Sequence, residues 1–154
     1  MKLATLCYIR KNGQTLMIHR TKKEIDDHKD KYNGVGGKFE IGETPEDCAK
    51  REIKEETGLK AINLEYKGLL TFPSEFGAED WYVFVFVINE FEGDLIDCNE
   101  GDLLWIDNDK ILSLNIHEGD KIFIPWLDQE KMFSAKFIYS QNGSKLEKYE
   151  VSFY

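Results

Sequence analysis

The sequence predicts an α+β fold built around a mixed β-sheet. Most of its apolar runs have the length and the β-branched and aromatic content of strands. One segment, residues 45–57, carries clear helix start and stop signals instead. Many strands with a single strongly marked helix among them indicate a sheet with helical segments packed on it.

The chain is predicted to open with a hairpin. Residues 3–9 and 15–19 are apolar runs, and the Asn-Gly pair between them favours a tight turn. Residues 21–31 are almost entirely charged, which predicts an exposed loop. Residues 33–37 bring three glycines into five positions, so the backbone there must turn sharply or approach another group closely.

The predicted helix has signals at both ends. Thr44 can cap its start, Pro45 suits the first helical position, and Asp47 stands where a capping-box acid would. Gly58 is placed to end the helix. Further strands are predicted at residues 62–72, 81–91 and 103–106, short helices at 109–114 and 120–130, and a closing hairpin of 133–140 against 146–153.

Length and charge limit the classes of function. The 154 residues are expected to form one domain, 1–154. The net charge of −9 argues against binding nucleic acid, which needs a basic face, and no apolar run reaches the roughly 20 residues that span a bilayer. Cys7, Cys48 and Cys98 show no CxxC pairing, which favours reduced thiols and a cytoplasmic location. A monomer and a homodimer both fit the sequence.

Three glutamates share one face of the predicted helix. Glu52, Glu55 and Glu56 stand at i, i+3 and i+4, where like charges repel by about 0.2–0.5 kcal/mol per pair. The helix dipole adds to this cost in the last turn. A hard cation explains the arrangement, because Mg²⁺ and Mn²⁺ take oxygen ligands, and it would also let an acidic protein bind a phosphate ester. The alternative is a solvated acidic face.

The surroundings of the glutamates favour the cation. Ala49 and Ile53 form an apolar stripe that can dock on a sheet and leave the glutamates at its edge. Upstream, Gly37 lies in a loop that can bring backbone carbonyls to the same cation.

The same run resembles a known motif. Gly37, Glu43 and the stretch from Arg51 to Leu59 match all nine specified positions of the Nudix box, G-x5-E-x7-R-E-U-x-E-E-x-G-U, where U is a bulky aliphatic residue. The resemblance implies a Nudix fold, which is an α/β/α sandwich around a mixed sheet. It also implies hydrolysis of a small-molecule nucleotide in which a nucleoside diphosphate is linked to another group.

The resemblance assigns roles to the box. The implied ligands of Mg²⁺, or of Mn²⁺ in its place, are the carbonyl of Gly37 and the carboxylates of Glu52, Glu55 and Glu56. Arg51 and Glu43 would brace the loop against the catalytic helix that Gly58 ends, and Lys38 is expected to contact phosphate.

A glutamate would accept the proton of a metal-activated water as that water attacks phosphorus. Glu55 and Glu56 are possible bases. Glu100 is a further candidate, as base and as metal ligand, because acids crowd a predicted loop just before a strand. The alternative for Glu100 is an exposed acid in a turn.

Outside the box, the chain is similar to the MutT-type triphosphatases that act on oxidised purine nucleotides, the 8-oxo-dGTP diphosphatases. The stretch from Asn33 to Lys38 resembles the one in which that group's asparagine reads the purine edge. A side-chain amide suits this task because it offers both a donor and an acceptor. The alternative for Asn33 is a turn residue before glycine.

The segment from His117 to Asp120 resembles the region that supplies a stacking aromatic and then one or two acids. Asp120 matches an acid position, Gly119 leaves the neighbouring one empty, and His117 stands where tryptophan is common. The alternatives are a surface histidine and a helix cap at Asp120. Further pocket positions, each with a core role as the alternative, are Thr5, Leu6, Phe72 and Trp81.

Two other functions stay open. The substrate could be ADP-ribose or a dinucleoside polyphosphate, although residues 60–70 lack the proline expected in ADP-ribose hydrolases. A nucleotide sensor without catalytic activity is the alternative from another class. Such sensors usually lose box glutamates, and these are intact here.

Overall fold

The computed structural model describes residues 1–21, 30–74, 79–140 and 142–154. Its strands are β1 (Lys2–Lys11), β2 (Gln14–His19), β3 (Tyr32–Asn33), β4 (Lys60–Phe72), β5 (Trp81–Glu92), β6 (Asp102–Asp107), β7 (Phe133–Tyr139) and β8 (Leu146–Phe153). Its helices are α1 (Pro45–Thr57) and α2 (Glu118–Phe123), with 3₁₀ segments at Asn108–Ser113 and Ile124–Asp128. Most of the predicted charged loop, residues 22–29, lies outside the described residues.

The strands form one mixed sheet, as predicted. Their order is β3-β2-β1-β5-β4-β7-β8, and β6 pairs with β2. β1 runs parallel to β5 and β4 parallel to β7, whereas the other pairs are antiparallel. The two predicted hairpins, β1–β2 and β7–β8, are both present.

Side-chain alternation along the strands gives the sheet two apolar faces. Cys7 of β1 joins Ala49 and Ile53 of α1 in one core, so the predicted apolar stripe of the helix docks on the sheet. Tyr8, the next residue of β1, belongs to a second core with Phe123 of α2. Helices therefore cover both faces, which is the α/β/α sandwich that the family resemblance implies.

Helix α1 begins and ends as predicted. The Thr44 hydroxyl accepts a hydrogen bond from the Asp47 N–H at 3.0 Å, and the Asp47 carboxylate accepts one from the Thr44 N–H at 3.1 Å. This is a complete capping box, with Pro45 in the first helical position. Gly58 follows the helix with a φ of +82° and donates its N–H to the Lys54 carbonyl.

The later helices differ from the prediction. Residues 109–114 lie largely within the tighter 3₁₀ turn Asn108–Ser113. A single helix over residues 120–130 is wrong, because α2 starts at Glu118 and a 3₁₀ segment replaces it after Phe123. Pro125 lacks the N–H that would continue the α-helical pattern. None of the described helices is long and apolar enough to cross a membrane.

Candidate functional site

The glycine-rich loop is fixed along the edge of β1. The Thr5 N–H donates to the Gly37 carbonyl at 2.9 Å, the Val35 N–H donates to the Cys7 carbonyl at 2.9 Å, and the Cys7 N–H donates back to the Val35 carbonyl. Because the carbonyls of Val35 and Gly37 both point at β1, the Gly36 carbonyl between them points away from it.

Gly37 has a steric role that the sequence did not reveal. A Cβ at this position would lie 2.5 Å from the carboxyl carbon of Glu52, so only glycine lets that carboxylate come so close to the loop. The Gly37 carbonyl already accepts hydrogen bonds from the Thr5 N–H and, at 3.5 Å, from the Cys48 thiol. The predicted metal-ligand role of this carbonyl stays a prediction, and in this structure its lone pairs face the Thr5 N–H and the Cys48 thiol.

Arg51 ties the loop to the helix. Its Nε and Nη2 each donate to a different oxygen of Glu43 at 2.8 Å, which is a bidentate pair. Its Nη2 also donates to the Lys38 carbonyl at 2.9 Å, and its Nη1 to Glu52 Oε1 at 2.8 Å. The Arg51 guanidinium lowers the pKa of Glu43 to about 2. Arg51 thus positions the loop and Glu52 together.

Glu52, Glu56 and Glu100 form what we call the glutamate cluster. Burial, together with a hydrogen bond with Glu52 and the charge of Glu100, raises the pKa of Glu56 to about 9. Glu56 Oε2 is buried and has no hydrogen-bond partner. Glu100 Oε2 lies 3.1 Å from Nη1 of Arg20, whose positive charge partly offsets the raised pKa of Glu56.

Glu55 stands apart from the glutamate cluster. Its carboxylate is 58% exposed and accepts a hydrogen bond from Arg51 Nη1 at 3.3 Å. Across residues 1–21, 30–74, 79–140 and 142–154, no group of three or more Asp, Glu, His and Cys side chains is arranged to hold a metal ion as it stands. A cation bound by all the predicted carboxylates would therefore require side-chain rotation.

The two predicted pocket residues of β1 face opposite sides of the sheet. Thr5 is 3% exposed, and its hydroxyl lies 3.5 Å from the Cys48 sulfur beneath α1. Alternation along the strand turns the Thr5 side chain into the core in this structure, and its expected pocket role stays a prediction. Leu6 is half-buried on the other face, where a Cβ on Gly34 would lie 3.2 Å from its Cδ1.

Asn33 lies on the short strand β3. It pairs with Ile18 of β2, so it is a strand residue, not the turn residue of the alternative interpretation. Its Nδ2 is buried and has no hydrogen-bond partner. An unpaired buried amide donor is costly and calls for an explanation, and a bound ligand would supply one.

Asp120 lies at the third position of α2 and is not its cap, because the residue that precedes the helix is His117. The Asp120 carboxylate instead accepts a hydrogen bond from the His117 backbone. Burial raises the pKa of Asp120 to about 7, an effect that this bond and the charge of Lys31 oppose. His117 itself is half-buried. The charge of Asp120 also raises the pKa of Tyr8, so the two side chains are neighbours.

Aromatic side chains line the face of the sheet that carries Leu6 and Tyr8. Phe72 and Trp81 are directly paired across β4 and β5 and are both half-buried. Lys38 Nζ lies over the Trp81 ring at 5.5 Å from its centroid. On the other side, the Phe72 ring lies 6.3 Å from that of Tyr139 at the end of β7. We call Asn33, Phe72, Trp81, Asp120 and Tyr139 the base-side residues.

Sequence reasoning missed the base-side residue Tyr139 and two residues that neighbour these regions, Arg20 and Tyr8. Arg20 directly precedes the charged run of residues 21–31, which was the available signal. Tyr8 and Tyr139 belong to strands whose apolar pattern gives no hint of a site. Their positions depend on which segments the fold brings beside Asp120, and no local pattern carries that information.

Known proteins resemble this chain in sequence and fold. The family model described as the NUDIX domain matches residues 2–127. The oxidized purine nucleoside triphosphate hydrolase of Danio rerio is 32% identical over 136 residues, which cover 88% of this chain and 85% of that protein. The 8-oxo-dGTP diphosphatase of Haemophilus influenzae is 33% identical over 95 residues, which cover 62% of this chain and 67% of that protein.

A crystal structure of the MutT protein from Bacillus halodurans has the same fold. It superposes with a TM-score of 0.87 at 28% sequence identity, covering 99% of this chain and 98% of that one. From the NUDIX match and these relatives, the chain belongs to the Nudix family and is a Nudix pyrophosphohydrolase.

Proposed function

We propose that this protein is a Mg²⁺-dependent nucleoside triphosphate pyrophosphohydrolase that removes oxidised purine nucleotides, for example by converting 8-oxo-dGTP to 8-oxo-dGMP and pyrophosphate. The observation that carries the proposal is the pairing of Glu52 and Glu56 beneath the Gly37 loop, with Glu56 Oε2 buried and unpaired.

The glutamate cluster fits a divalent cation. Two carboxylates that share a partly buried space are unfavourable without a positive charge, and the raised pKa of Glu56 reflects this. All the available donors are oxygens, which suits Mg²⁺ or Mn²⁺. The residues that would hold the ion, once their side chains rotate, are Glu52, Glu56 and Glu100, with Glu55 turned away from Arg51. The Gly36 carbonyl, which points away from β1, is a better backbone ligand than that of Gly37.

A bound divalent cation would neutralise the polyphosphate and acidify a water molecule. The protein residues would then orient the reactants. Glu100, held by Arg20 at 3.1 Å, is our preferred proton acceptor for the attacking water, with Glu56 and Glu55 as alternatives. Arg51 would keep the loop and Glu52 in place. Lys38 would meet the phosphates from its position over Trp81.

The proposed substrate rests on the base-side residues. The relatives named above include an oxidized purine nucleoside triphosphate hydrolase and an 8-oxo-dGTP diphosphatase. Asn33 offers an unpaired buried amide donor, and Asp120 offers a carboxyl group that the pKa of about 7 places between its neutral and ionised forms. Both groups can hydrogen-bond a purine edge, and Phe72 and Trp81 supply flat apolar surface for its ring.

A substrate panel tests the proposal. The purified protein would be given Mg²⁺ and 8-oxo-dGTP, dGTP, ADP-ribose or a dinucleoside polyphosphate, with release of pyrophosphate and phosphate measured. We expect pyrophosphate from 8-oxo-dGTP as the fastest reaction. ADP-ribose as the best substrate would overturn the purine triphosphate assignment, and turnover of none would favour a nucleotide sensor.

Metal binding is measured separately, without nucleotide. Titration calorimetry with Mg²⁺ and with Mn²⁺ should show binding to the wild type and a weakened signal for Glu56→Gln. Glu46→Gln, an exposed glutamate in the first turn of the same helix, is the matched control and should bind as the wild type does. Equal binding by all three proteins would contradict the assignment of the glutamate cluster.

The single domain over residues 1–154, the cytoplasmic location and the choice between monomer and homodimer stay predictions. Size-exclusion chromatography with light scattering decides the last of these.

A further inference from the structure

Gly119 and Tyr139 make a contact that the sequence did not foresee. The Gly119 N–H donates a hydrogen bond to the Tyr139 hydroxyl oxygen at 2.7 Å. A Cβ at Gly119 would lie only 2.6 Å from that oxygen. The phenol therefore fills the space that a side chain at position 119 would need. This is the position where the family resemblance expects a second acid beside Asp120.

The Tyr139 hydroxyl keeps its own hydrogen available. Its oxygen is an acceptor towards Gly119, and no described residue accepts the phenolic hydrogen. Burial raises the pKa of Tyr139 to about 12, with Asp120 and Glu118 adding to the effect, so the group stays protonated. The Gly119 bond also fixes the direction of the phenol oxygen.

The surroundings of this hydroxyl are the base-side residues. The Tyr139 ring lies 6.3 Å from that of Phe72, and its hydroxyl is bonded to the residue immediately before Asp120. Tyr139 is half-buried and so retains some accessible surface. A donor therefore stands next to a carboxyl group, on the face where the proposed substrate presents its base.

We propose that Tyr139 is a specificity-determining residue, whose hydroxyl takes the place of the missing acid and donates a hydrogen bond to an acceptor on the purine edge. The acceptor is either an oxo oxygen or a ring nitrogen. This inference rests on the proposed function, since it requires a purine in the site. The neutral phenol thus takes the place of the second acid, and the base is hydrogen-bonded by one carboxyl group and one phenol.

A purely structural role for Tyr139 makes a different prediction. If the hydroxyl only holds α2 against β7, its loss would affect all substrates alike. The test therefore compares a purine nucleoside triphosphate with 1,2-dideoxyribose 5-triphosphate, which has the same phosphates and no base. The purines are 8-oxo-dGTP, dGTP and dATP, so that 6-oxo and 6-amino edges are both sampled.

Tyr139→Phe removes the hydroxyl and keeps the ring. We expect kcat/KM to fall about five- to tenfold for the preferred purine, as for loss of one neutral hydrogen bond, and to stay unchanged for the base-free triphosphate. The acceptor is identified by comparing the fall in kcat/KM between the purines with a 6-oxo edge and the one with a 6-amino edge. Tyr149→Phe, which removes a tyrosine hydroxyl from the exposed strand β8, is the control and should change neither value.

The outcomes separate the inference from the proposed function. Wild-type turnover of purine triphosphates with no purine-selective loss in Tyr139→Phe would overturn the inference alone. An equal loss on both substrates would also overturn it. If the wild type cleaves none of the purine triphosphates, the proposed function fails and the inference fails with it.

A second pair of variants tests whether the Tyr139 hydroxyl and an acid at position 119 would occupy the same space. Gly119→Asp alone places its Cβ against the phenol oxygen and should lower Tm. With Tyr139→Phe in the same chain, the oxygen is gone, so Tm should recover and the acid should restore the preference for a purine over the base-free triphosphate. A preference that stays at the level of Tyr139→Phe would contradict the shared position.

Discussion

The glutamate cluster and the base-side residues lie beside the same sheet but are built in different ways. Two of the three glutamates come from one helix, and a single arginine ties that helix to the glycine loop. The base-side residues come from five separate elements, β3, β4, β5, α2 and β7. The first region is dense in charge, whereas the second combines aromatic rings with an amide, a phenol and one carboxyl group.

This difference shows how the two tasks constrain a sequence. Holding a hard cation requires several carboxylates at fixed spacing, which one helix can supply locally. Recognising a base requires flat surface and a few directed polar groups, which tertiary structure can gather from anywhere. Cation binding therefore requires a contiguous sequence motif, whereas base recognition uses single residues scattered along the chain. Variants that damage one region and spare the other test this separation.

The largest effect is expected for Glu56→Gln. The change keeps the shape of the side chain but removes the charge that a cation would bind, so kcat should fall about 10²–10⁴-fold for every substrate, with or without a base. Steady-state kinetics over a range of Mg²⁺ concentrations measure this, with Glu46→Gln as the control. A purine-selective loss would break the proposed division between the two regions.

Arg51→Lys should have the next largest effect. A lysine cannot make the bidentate pair with Glu43 while also reaching Glu52 and the Lys38 carbonyl. We expect kcat to fall about 10–100-fold, as for other groups that orient metal ligands, and Tm to fall as well.

Lys50→Arg, a change of the exposed residue before Arg51, is the matched control and should leave both quantities unchanged. Wild-type kcat in Arg51→Lys would show that the links from Arg51 to the loop and to Glu52 are dispensable.

Asp120→Asn should act on recognition and on the pH dependence of stability. Burial raises the pKa of Asp120 from 3.8 to about 7, so the folded protein binds this proton more tightly than the unfolded chain does. The stability that this group contributes is complete below pH 4 (about the unfolded pKa) and is lost as the pH rises through about 7. The difference in Tm between wild type and Asp120→Asn should therefore shift against the wild type from pH 5 to pH 8.

The same variant should lower kcat/KM for the preferred purine about tenfold and spare the base-free triphosphate. Scanning calorimetry at several pH values measures the first effect, with the exposed Asp109→Asn as control. A Tm difference that does not change with pH would show that Asp120 titrates near its usual pKa.

The smallest effect is expected for Lys38→Gln. This exposed side chain lies over Trp81, where a cation–π contact contributes about 0.5–1 kcal/mol, and it is proposed to meet phosphate. We expect KM to rise about two- to fivefold for all triphosphates, with kcat little changed and the effect weaker at high salt. Lys60→Gln, at an exposed position on β4, should leave KM as it is. A rise in KM for purine substrates alone would show that Lys38 acts on the base and not on the phosphates.

The sequence predicted the elements with strong local signals. The capping box at Thr44, the left-handed Gly58 and the two hairpins are all present, because each depends on residues close together in the chain. It was less successful at two places where a local signal in the sequence was not used. Pro125 splits the predicted last helix, and alternation along β1 turns Thr5 away from the base-side face.

In the candidate site, contacts between distant segments set the limit. The spacing of the box glutamates gave the helix face correctly, but it gave no sign that Glu55 would turn outwards to Arg51 or that Arg20 would reach Glu100. The sequence predicts that the Gly37 carbonyl is a metal ligand, but it gives no sign that the missing side chain of Gly37 makes room for the Glu52 carboxylate. The empty acid position at Gly119 could not be linked to Tyr139 from the sequence. The two residues are twenty positions apart, with the 3₁₀ segment Ile124–Asp128 and most of β7 between them.

Strand β1 contributes side chains to both faces of the sheet and so borders both regions. Thr5 and Cys7 support the glycine loop and α1, while Leu6 and Tyr8 face the base side. A shift of this strand by one residue would exchange both sets at once. On the proposed function, we therefore expect substrate range to be easier to change through α2 and the end of β7 than through β1. A directed-evolution library limited to those two segments would vary recognition while leaving the hydrolytic machinery on its original support.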